Sequence, residues 1–267
     1  MNNFCEKMMG VVNTLCRLLQ AIGLIESCRV VLSTLFGKRI IPFKYKGNRL
    51  YINNDRSTLY HIGHSVNKLE KLAQSIENTN PKTIIVVGAN CGLYSFFVGK
   101  RFPEANLYLF EPTPDLIEII YKNLRGFHNF EVVEKAVLEK RGKVKFYINP
   151  HSQQTNSIDK ESIEFNLPQQ LKEVYVASVS LDDFCKDRNI KKIDVLKVDI
   201  QGTELRLLKG AEKTIKVTSE AFFEVTFLFK EAASLLNLLI KEFGSYSLVN
   251  EIIMGADLRF FRKNYGK

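Results

Sequence analysis

An α/β fold built on one mostly parallel sheet is predicted by three features of this chain. From Thr83 onward, short apolar runs alternate with amphipathic helical segments, the pattern of successive βαβ units. The first run, Thr83 to Val87 (TIIVV), is mostly β-branched, as suits a strand buried on both faces, and it ends at once in the glycine turn GANCG over residues 88–92. The next run, Leu107 to Pro114 (LYLFEPTP), puts a carboxylate, Glu111, at the tip of the neighbouring strand.

The first 36 residues carry Phe4, Met8, Val11, Leu15, Leu18 and Ile22 at helical spacing, with Glu6, Asn13, Arg17 and Gln20 mostly elsewhere around the helix. Arg17, Glu26 and Arg29 interrupt the apolar run well short of the about 20 residues that cross a bilayer, and no basic lead-in with a cleavage pattern is present. This amphipathic segment is expected to pack on the rest of the chain or on a second subunit, or to lie at a membrane surface. Lys44 to Asn53 predicts a hairpin about Gly47-Asn48, and Ser65 to Glu77 a helix. These elements make a cap over residues 1–78, ahead of a main domain over residues 79–267.

In the main domain the expected order is strand 83–87, helix 93–101, strand 106–111, helix 114–125 and strand 130–136. Val144 to Ile148 is expected to pair in a hairpin after Gly142, and residues 149–171 show no period, as in functional or disordered loops. A helix at Leu181 to Cys185, strand Ile193 to Asp199, a helix from Thr203, strand Ala221 to Thr226 and a helix over 230–243 follow. Ser247 to Ile253 and Leu258 to Arg262, joined by residues 254–257, form a closing hairpin, so the last strand should be antiparallel to its neighbour.

At 267 residues, 45% of them hydrophobic, the chain is long enough for one large domain with a substantial core. The formal charge of +9, from 38 basic and 29 acidic residues, invites a nucleic-acid or anionic-membrane partner. The charges are scattered and no aromatic-basic interleaving is present, so no nucleic-acid partner is expected. Five cysteines form no CxxC pair, which argues for a reducing, cytoplasmic setting and against disulfides and zinc. His61 and His64 share a helical face while His128 and His151 are isolated, so no metal site is expected.

Gly88 and Gly92 bracket Asn90, the side-chain-bearing residue type that best tolerates left-handed backbone, so a ligand can approach the turn closely. Helix 93–101 points its free N–H groups at the same turn, and an acid at the position of Glu111 fits a ribose diol. A dinucleotide site would want a third glycine where Leu93 stands. The turn therefore suits a nucleoside without a pyrophosphate, and S-adenosylmethionine rather than NAD or FAD. In the later motif IDVLKVDIQGTE, Lys197 and Asp199 lie on one strand face about 6.6 Å apart, with Asp199 at the C-terminal tip where open sheets bind ligands. A salt bridge that satisfies a polar strand end is the plain alternative. Glu204, in the first turn of the next helix, is a second acid expected at the same crevice, and Glu224, near the end of the next strand, is a third candidate that could equally cap neighbouring backbone amides.

These residues resemble the FkbM family of class I S-adenosylmethionine-dependent methyltransferases. The likeness rests on Val87 to Gly92 with Tyr94-Ser95, Phe110-Glu111-Pro112, Asn156-Ser157, Ser180-Leu181-Asp182, and Leu196 to Glu204 followed by Leu208 to Ala211. It implies a Rossmann-like, mostly parallel seven-stranded sheet with the last strand antiparallel, the cofactor S-adenosyl-L-methionine, and O-methylation of a saccharide or other small metabolite. By the same resemblance Gly88, Ala89, Asn90, Cys91 and Gly92 hold the methionine portion, Glu111 the ribose hydroxyls, and Ala136 and Val137 flank adenine. Tyr94, Ser95, Pro112, Asn156 and Ser157 belong with them as cofactor-site candidates, and Asp199 faces the methyl group. Members usually carry Asp where Val86 stands. Asp199 is the first candidate for the base and Glu204 the second. A catalytically degenerate binding module and a nucleic-acid methyltransferase are the alternatives, the latter favoured by charge but not by the strand end Asp199 to Gly202.

Overall fold

The structure, a computed structural model, describes residues 2–160, 171–227, 230–252 and 255–262. Helices α1 (Asn2–Ile22) and α2 (Leu24–Leu35) are separated at Gly23. Strands β1 (Ile40–Tyr45) and β2 (Asn48–Asn53) pair antiparallel around Lys46 and Gly47, whose φ angles of 45° and 79° are those a two-residue hairpin turn demands. The turn thus sits one residue earlier than expected. Helix α3 spans Thr58–Gln74, starting well before the expected Ser65. Its start is set by side chains bonding to backbone: Asp55 accepts from Ser57 N (2.8 Å), and Thr58 Oγ1 donates to Asn53 O and Asp55 O (both 2.9 Å). At Gly63 α1 crosses α3 backbone to backbone, since a Cβ there would lie 2.8 Å from Leu18 N.

The main sheet is built from β3 (Thr83–Val87), β4 (Asn106–Phe110), β5 (Phe130–Val133), β9 (Ile193–Val198), β10 (Thr218–Thr226), β11 (Ser245–Ile252) and β12 (Gly255–Phe261). Its order is β11-β12-β10-β9-β3-β4-β5. The strands from β10 to β5 run parallel, and β12 is antiparallel to both β10 and β11. The expected seven-stranded sheet with its last strand reversed is therefore present. Ile253 and Met254, part of the expected closing turn, lie outside the described residues, while Gly255, Ala256 and Asp257 belong to β12 rather than to the turn.

Helices α4 (Leu93–Arg101), α5 (Pro114–Asn123), α6 (Leu181–Asp187), α7 (Glu204–Lys209) and α8 (Ala232–Phe243) cover the sheet. Alternation along β3 divides the core. Ile84 and Val86 pack with cap residues such as Leu18, Phe43 and Ile62, while Ile85 and Val87 pack with Leu181, Leu207 and Leu239 of the other helices. The first cluster thus runs without a break across the expected boundary after residue 78.

Two further expectations are corrected. Strand β5 stops at Val133, and Ala136–Val137 form a short strand, β6, in a second sheet ordered β6-β8-β7. Strand β7 (Gly142–Ile148) makes no hairpin with its predecessor; it pairs antiparallel with β8 (Lys172–Val179), from Gly142 opposite Ser178 to Ile148 opposite Lys172. The partners are joined by a long connection, so no short turn in the sequence announces the pairing. Within the aperiodic 149–171 stretch, Gln153–Thr155 form a 3₁₀ turn, and residues 161–170 lie outside the described residues.

Candidate active site

The sheet order reverses direction at β3, between β9 and β4, and the C-terminal ends of these strands and of β10 open on a cavity of ≈ 550 Å³. Such a switch point is where a parallel sheet leaves a crevice between diverging connections. The cavity's other walls come from α3, from β6 and from residues 153–158.

The turn after β3 is built as its glycines suggest. Gly88, Asn90 and Gly92 have φ of 79°, 53° and 77°. A Cβ at Gly88 would lie 1.9 Å from Asp199 O, so only glycine lets the tips of β3 and β9 meet. Gly88 N and Ala89 N donate to Phe110 O (3.1 and 2.9 Å). Glu111 fastens the turn to β4: Oε2 accepts from Asn90 N (2.9 Å) and Oε1 from Thr113 N (3.0 Å). Burial pushes its pKa up, against the lowering effect of these bonds. Asn123 Nδ2 donates to Cys91 O (2.7 Å) and to Tyr51 O (2.8 Å), tying the turn to the cap hairpin.

At the tip of β9, Lys197 and Asp199 share a face as expected and are joined, Nζ to Oδ2, at 2.9 Å. Gln201 Nε2 donates to Asp199 Oδ1 (2.9 Å). Burial alone would raise the Asp199 pKa; the Lys197 ammonium, then Lys68 and the Gln201 amide, outweigh it and hold the carboxyl below its ordinary value. A quarter of the Asp199 side chain stays open. Lys197 is buried directly across from Val86 on one side and Phe222 on the other, with its ammonium 5.8 Å from the centre of the Tyr94 ring. Where an acid is usual in the resembled family, Val86 offers no charge, and Lys197 is neutralised by Asp199.

The remaining expected residues divide. Ala89, Asn90, Cys91, Tyr94, Pro112, Ala136, Val137 and Asn156 line the cavity with Gly88, Glu111 and Asp199. Burial pushes the Cys91 thiol up to about 12, which leaves it unreactive. Gly92, Ser95, Ser157 and Glu204 are not in the cavity wall. Gly92 packs against Ile120, Ser95 is buried in α4, and Ser157 Oγ donates to Gln201 O (2.8 Å), bracing the loop after β9. Glu204 turns back on its own loop, where it accepts from Gly202 N (3.1 Å) and Ile200 N (3.3 Å), and burial pushes its pKa up to about 7. The position of Glu204 in the first helical turn, which pointed to the crevice, instead aims its carboxylate back at the N–H groups of the loop that leads into the helix.

The cap supplies Tyr60, Ser65 and Lys68, which the sequence did not mark as site residues. Tyr60, His61, His64, Ser65 and Lys68 of α3 line the cavity opposite the strand tips. Lys68 Nζ lies 3.1 Å from Glu224 Oε2 and 3.2 Å from Asp257 Oδ2. Burial would lower the Lys68 pKa, and the facing carboxylates of Glu224, Asp257 and Asp199 raise it above the ordinary lysine value. Burial, reinforced by Asp199, pushes Glu224 up to about 7 despite Lys68. Burial brings His61 down to about 4, so its ring is neutral at neutral pH. His61 Nε2, Tyr94 OH and Gln153 Oε1 are buried in the cavity wall with no hydrogen-bond partner among the described residues. The signal for this wall was the polar stripe His61, His64, Ser65 and Lys68 at helical spacing, which only the first two histidines had marked.

The family model of the methyltransferase FkbM domain matches residues 87–248. Methyltransferase 1 of Beauveria bassiana is 27% identical over 145 residues, 48% of this chain and 58% of that protein. The 2-O-methyltransferase NoeI of Sinorhizobium fredii is 22% identical over 170 residues, 58% of this chain and 67% of its own length. The hexuronic acid methyltransferase AglP of Haloferax volcanii is 24% identical over 140 residues, 52% and 54% of the two chains. The match thus spans little more than half of the first and last of these relatives. Among solved structures, M. jannaschii TYW2 in complex with AdoMet is similar over 85% of this chain and 88% of its own, with a TM-score of 0.45 and 10% identity.

Proposed function

The chain belongs to the FkbM methyltransferase family, and from that premise we propose that it transfers the methyl group of S-adenosylmethionine to a hydroxyl oxygen of a saccharide or another small metabolite. The observation that carries this reading is the meeting of Glu111, residues 88–91 of the glycine turn and Asp199 in one cavity of ≈ 550 Å³, a size suited to a nucleoside cofactor beside a small acceptor.

The donor set fits the cofactor. Each Glu111 oxygen accepts one backbone N–H, which leaves acceptor capacity on both for a ribose diol. Phe110, Ala136, Val137 and Phe146 offer an apolar slot for a purine ring. The turn from Gly88 to Gly92 brings backbone close enough to hold the methionine portion. Bound there, S-adenosylmethionine supplies an electrophilic methyl group on a positively charged sulfur. The surplus of carboxylates around Lys68 and Lys197 suits that charge.

Asp199 accepts the proton of the acceptor hydroxyl, while Lys197 and Gln201 fix its orientation and keep it ionised. Alignment of oxygen with methyl falls to the α3 wall, where Tyr60 stacks on His64 with ring centres 5.2 Å apart and the unpartnered His61 Nε2 can take a hydrogen bond. Glu204 serves as a brace of the 200–202 loop. A saccharide acceptor is supported by the names of NoeI and AglP, a 2-O-methyltransferase and a hexuronic acid methyltransferase. A reducing, cytoplasmic setting is supported by the free thiols of Cys16, Cys28, Cys91 and Cys185.

Calorimetric titration of the full chain with S-adenosylmethionine tests the reading, followed by incubation of a metabolite extract with methyl-labelled cofactor. Saturable heat and label in an ether-linked product are expected. Folded protein that gives no heat overturns it.

A further inference from the structure

Helices α1 and α2 turn only part of their apolar surface inward. Leu18 of α1 and Val30 of α2 are buried in the core, whereas Ile25, Leu35 and Phe36 are 71, 77 and 81% exposed. With Leu32, also exposed, they recur along one side of α2 at helical spacing. Val12, Leu15 and Leu19 add a second exposed apolar row on α1. Of the face expected to be buried on α1, Leu18 is inside and Val11 and Leu15 are outside. An apolar ridge of this extent on a chain surface marks something that covers it.

Charge identifies the cover. Residues 1–60 hold nine Lys or Arg and three Asp or Glu, and so contribute six of the nine excess positive charges of the chain. Lys38 follows Phe36 closely and is exposed, and the Arg29 side chain, one turn from Leu32, is 63% exposed while Nη1 lies 3.3 Å from Glu26 Oε2. A second copy of this chain seated on the ridge by two-fold symmetry would bring each basic cluster toward its own image, which opposes association. Among the described residues no helix is long and apolar enough to cross a membrane. We propose that α1 and α2 lie in the surface of an anionic lipid bilayer, with Ile25, Leu32, Leu35 and Phe36 inserted at the acyl boundary and Arg29 and Lys38 on the lipid phosphates. Helix α1 also touches the cavity wall: Arg17 Nη1 lies 2.6 Å from His64 Nδ1 of α3. The proposal is independent of the methyl-transfer reading.

The full chain is sedimented with vesicles of phosphatidylcholine alone and of phosphatidylcholine with about 30% phosphatidylglycerol, at low and high salt. Binding to the anionic vesicles that weakens with salt is expected. The double variant Leu35→Ser/Phe36→Ser changes only exposed side chains and should lower partitioning by about tenfold or more per side chain. Lys38→Glu should reduce the preference for anionic vesicles. Absence of co-sedimentation by folded protein overturns the proposal, as does binding that the double variant leaves unchanged. So does a dimer in light scattering that the double variant disperses, which would make the ridge a self-association face.

Discussion

Lys68 Nζ lies 3.1 Å from Glu224 Oε2, so a lysine of the cap helix α3 is fastened to the end of β10 across 156 positions of sequence. The same ammonium reaches Asp257 of β12 at 3.2 Å, so one cation of the cavity wall ties α3 to two neighbouring strands. Lys68→Met leaves Glu224 without its compensating charge. Its folded pKa, already about 7 against an ordinary 4.5, moves higher, so the cost of an ionised, buried carboxylate is felt at high pH and relieved as the group protonates. We expect urea unfolding to show a loss of about 3 kcal/mol near pH 8 and a much smaller one near pH 5. An equal loss at both would remove the ion pair from the explanation.

Glu111→Ala removes the acceptor proposed for the ribose diol. The expected loss of cofactor affinity is about 1.5 to 3 kcal/mol, roughly a tenfold to hundredfold rise in Kd for S-adenosylmethionine. A dissociation constant equal to wild type in calorimetry would take Glu111 out of the binding site.

Asp199→Asn keeps the shape of the side chain and removes its charge. Turnover should fall by about a hundredfold or more, the scale of a lost general base, with cofactor Kd within about a factor of two of wild type. Unchanged methyl transfer in a single-turnover assay would falsify the role of Asp199 as base, and a large rise in Kd would reassign it to cofactor binding.

Glu204→Gln isolates the pH dependence of the loop brace. With a folded pKa of about 7 and an ordinary value of 4.5, Glu204 holds its proton in the folded chain through a window in which the unfolded chain has released it. Wild-type stability therefore falls as pH rises through that window and levels off above it. Glutamine still accepts from Gly202 N without a charge to bury, so the fall between about pH 5 and about pH 8 should shrink by about 2–3 kcal/mol in the variant. Parallel stability curves for the two proteins would contradict the buried placement of Glu204.

Local chemistry made the frame of this protein legible. Thr83 to Val87, the glycine turn with Asn90, and Glu111 at the next strand tip are each encoded within a few neighbouring residues, as is the alternation that buries Ile84 with Val86 on one face and Ile85 with Val87 on the other. Strand period, turn chemistry and the reversed last strand are short-range quantities, and they led to the sheet and to the line of residues from Gly88 to Asp199 that edges the cavity. Tertiary structure decided the rest. The pairing of β7 with β8, the choice of Glu224 over Glu204 for the cavity wall, and the Lys68 ion pair join segments far apart in sequence, where no periodicity links the partners. Glu204 and Glu224 have the same side chain and the same raised pKa of about 7, and only the fold turns one toward backbone amides and the other toward a cation. Burial and charge environment belong to the assembled chain, because they depend on which distant groups displace water from a side chain.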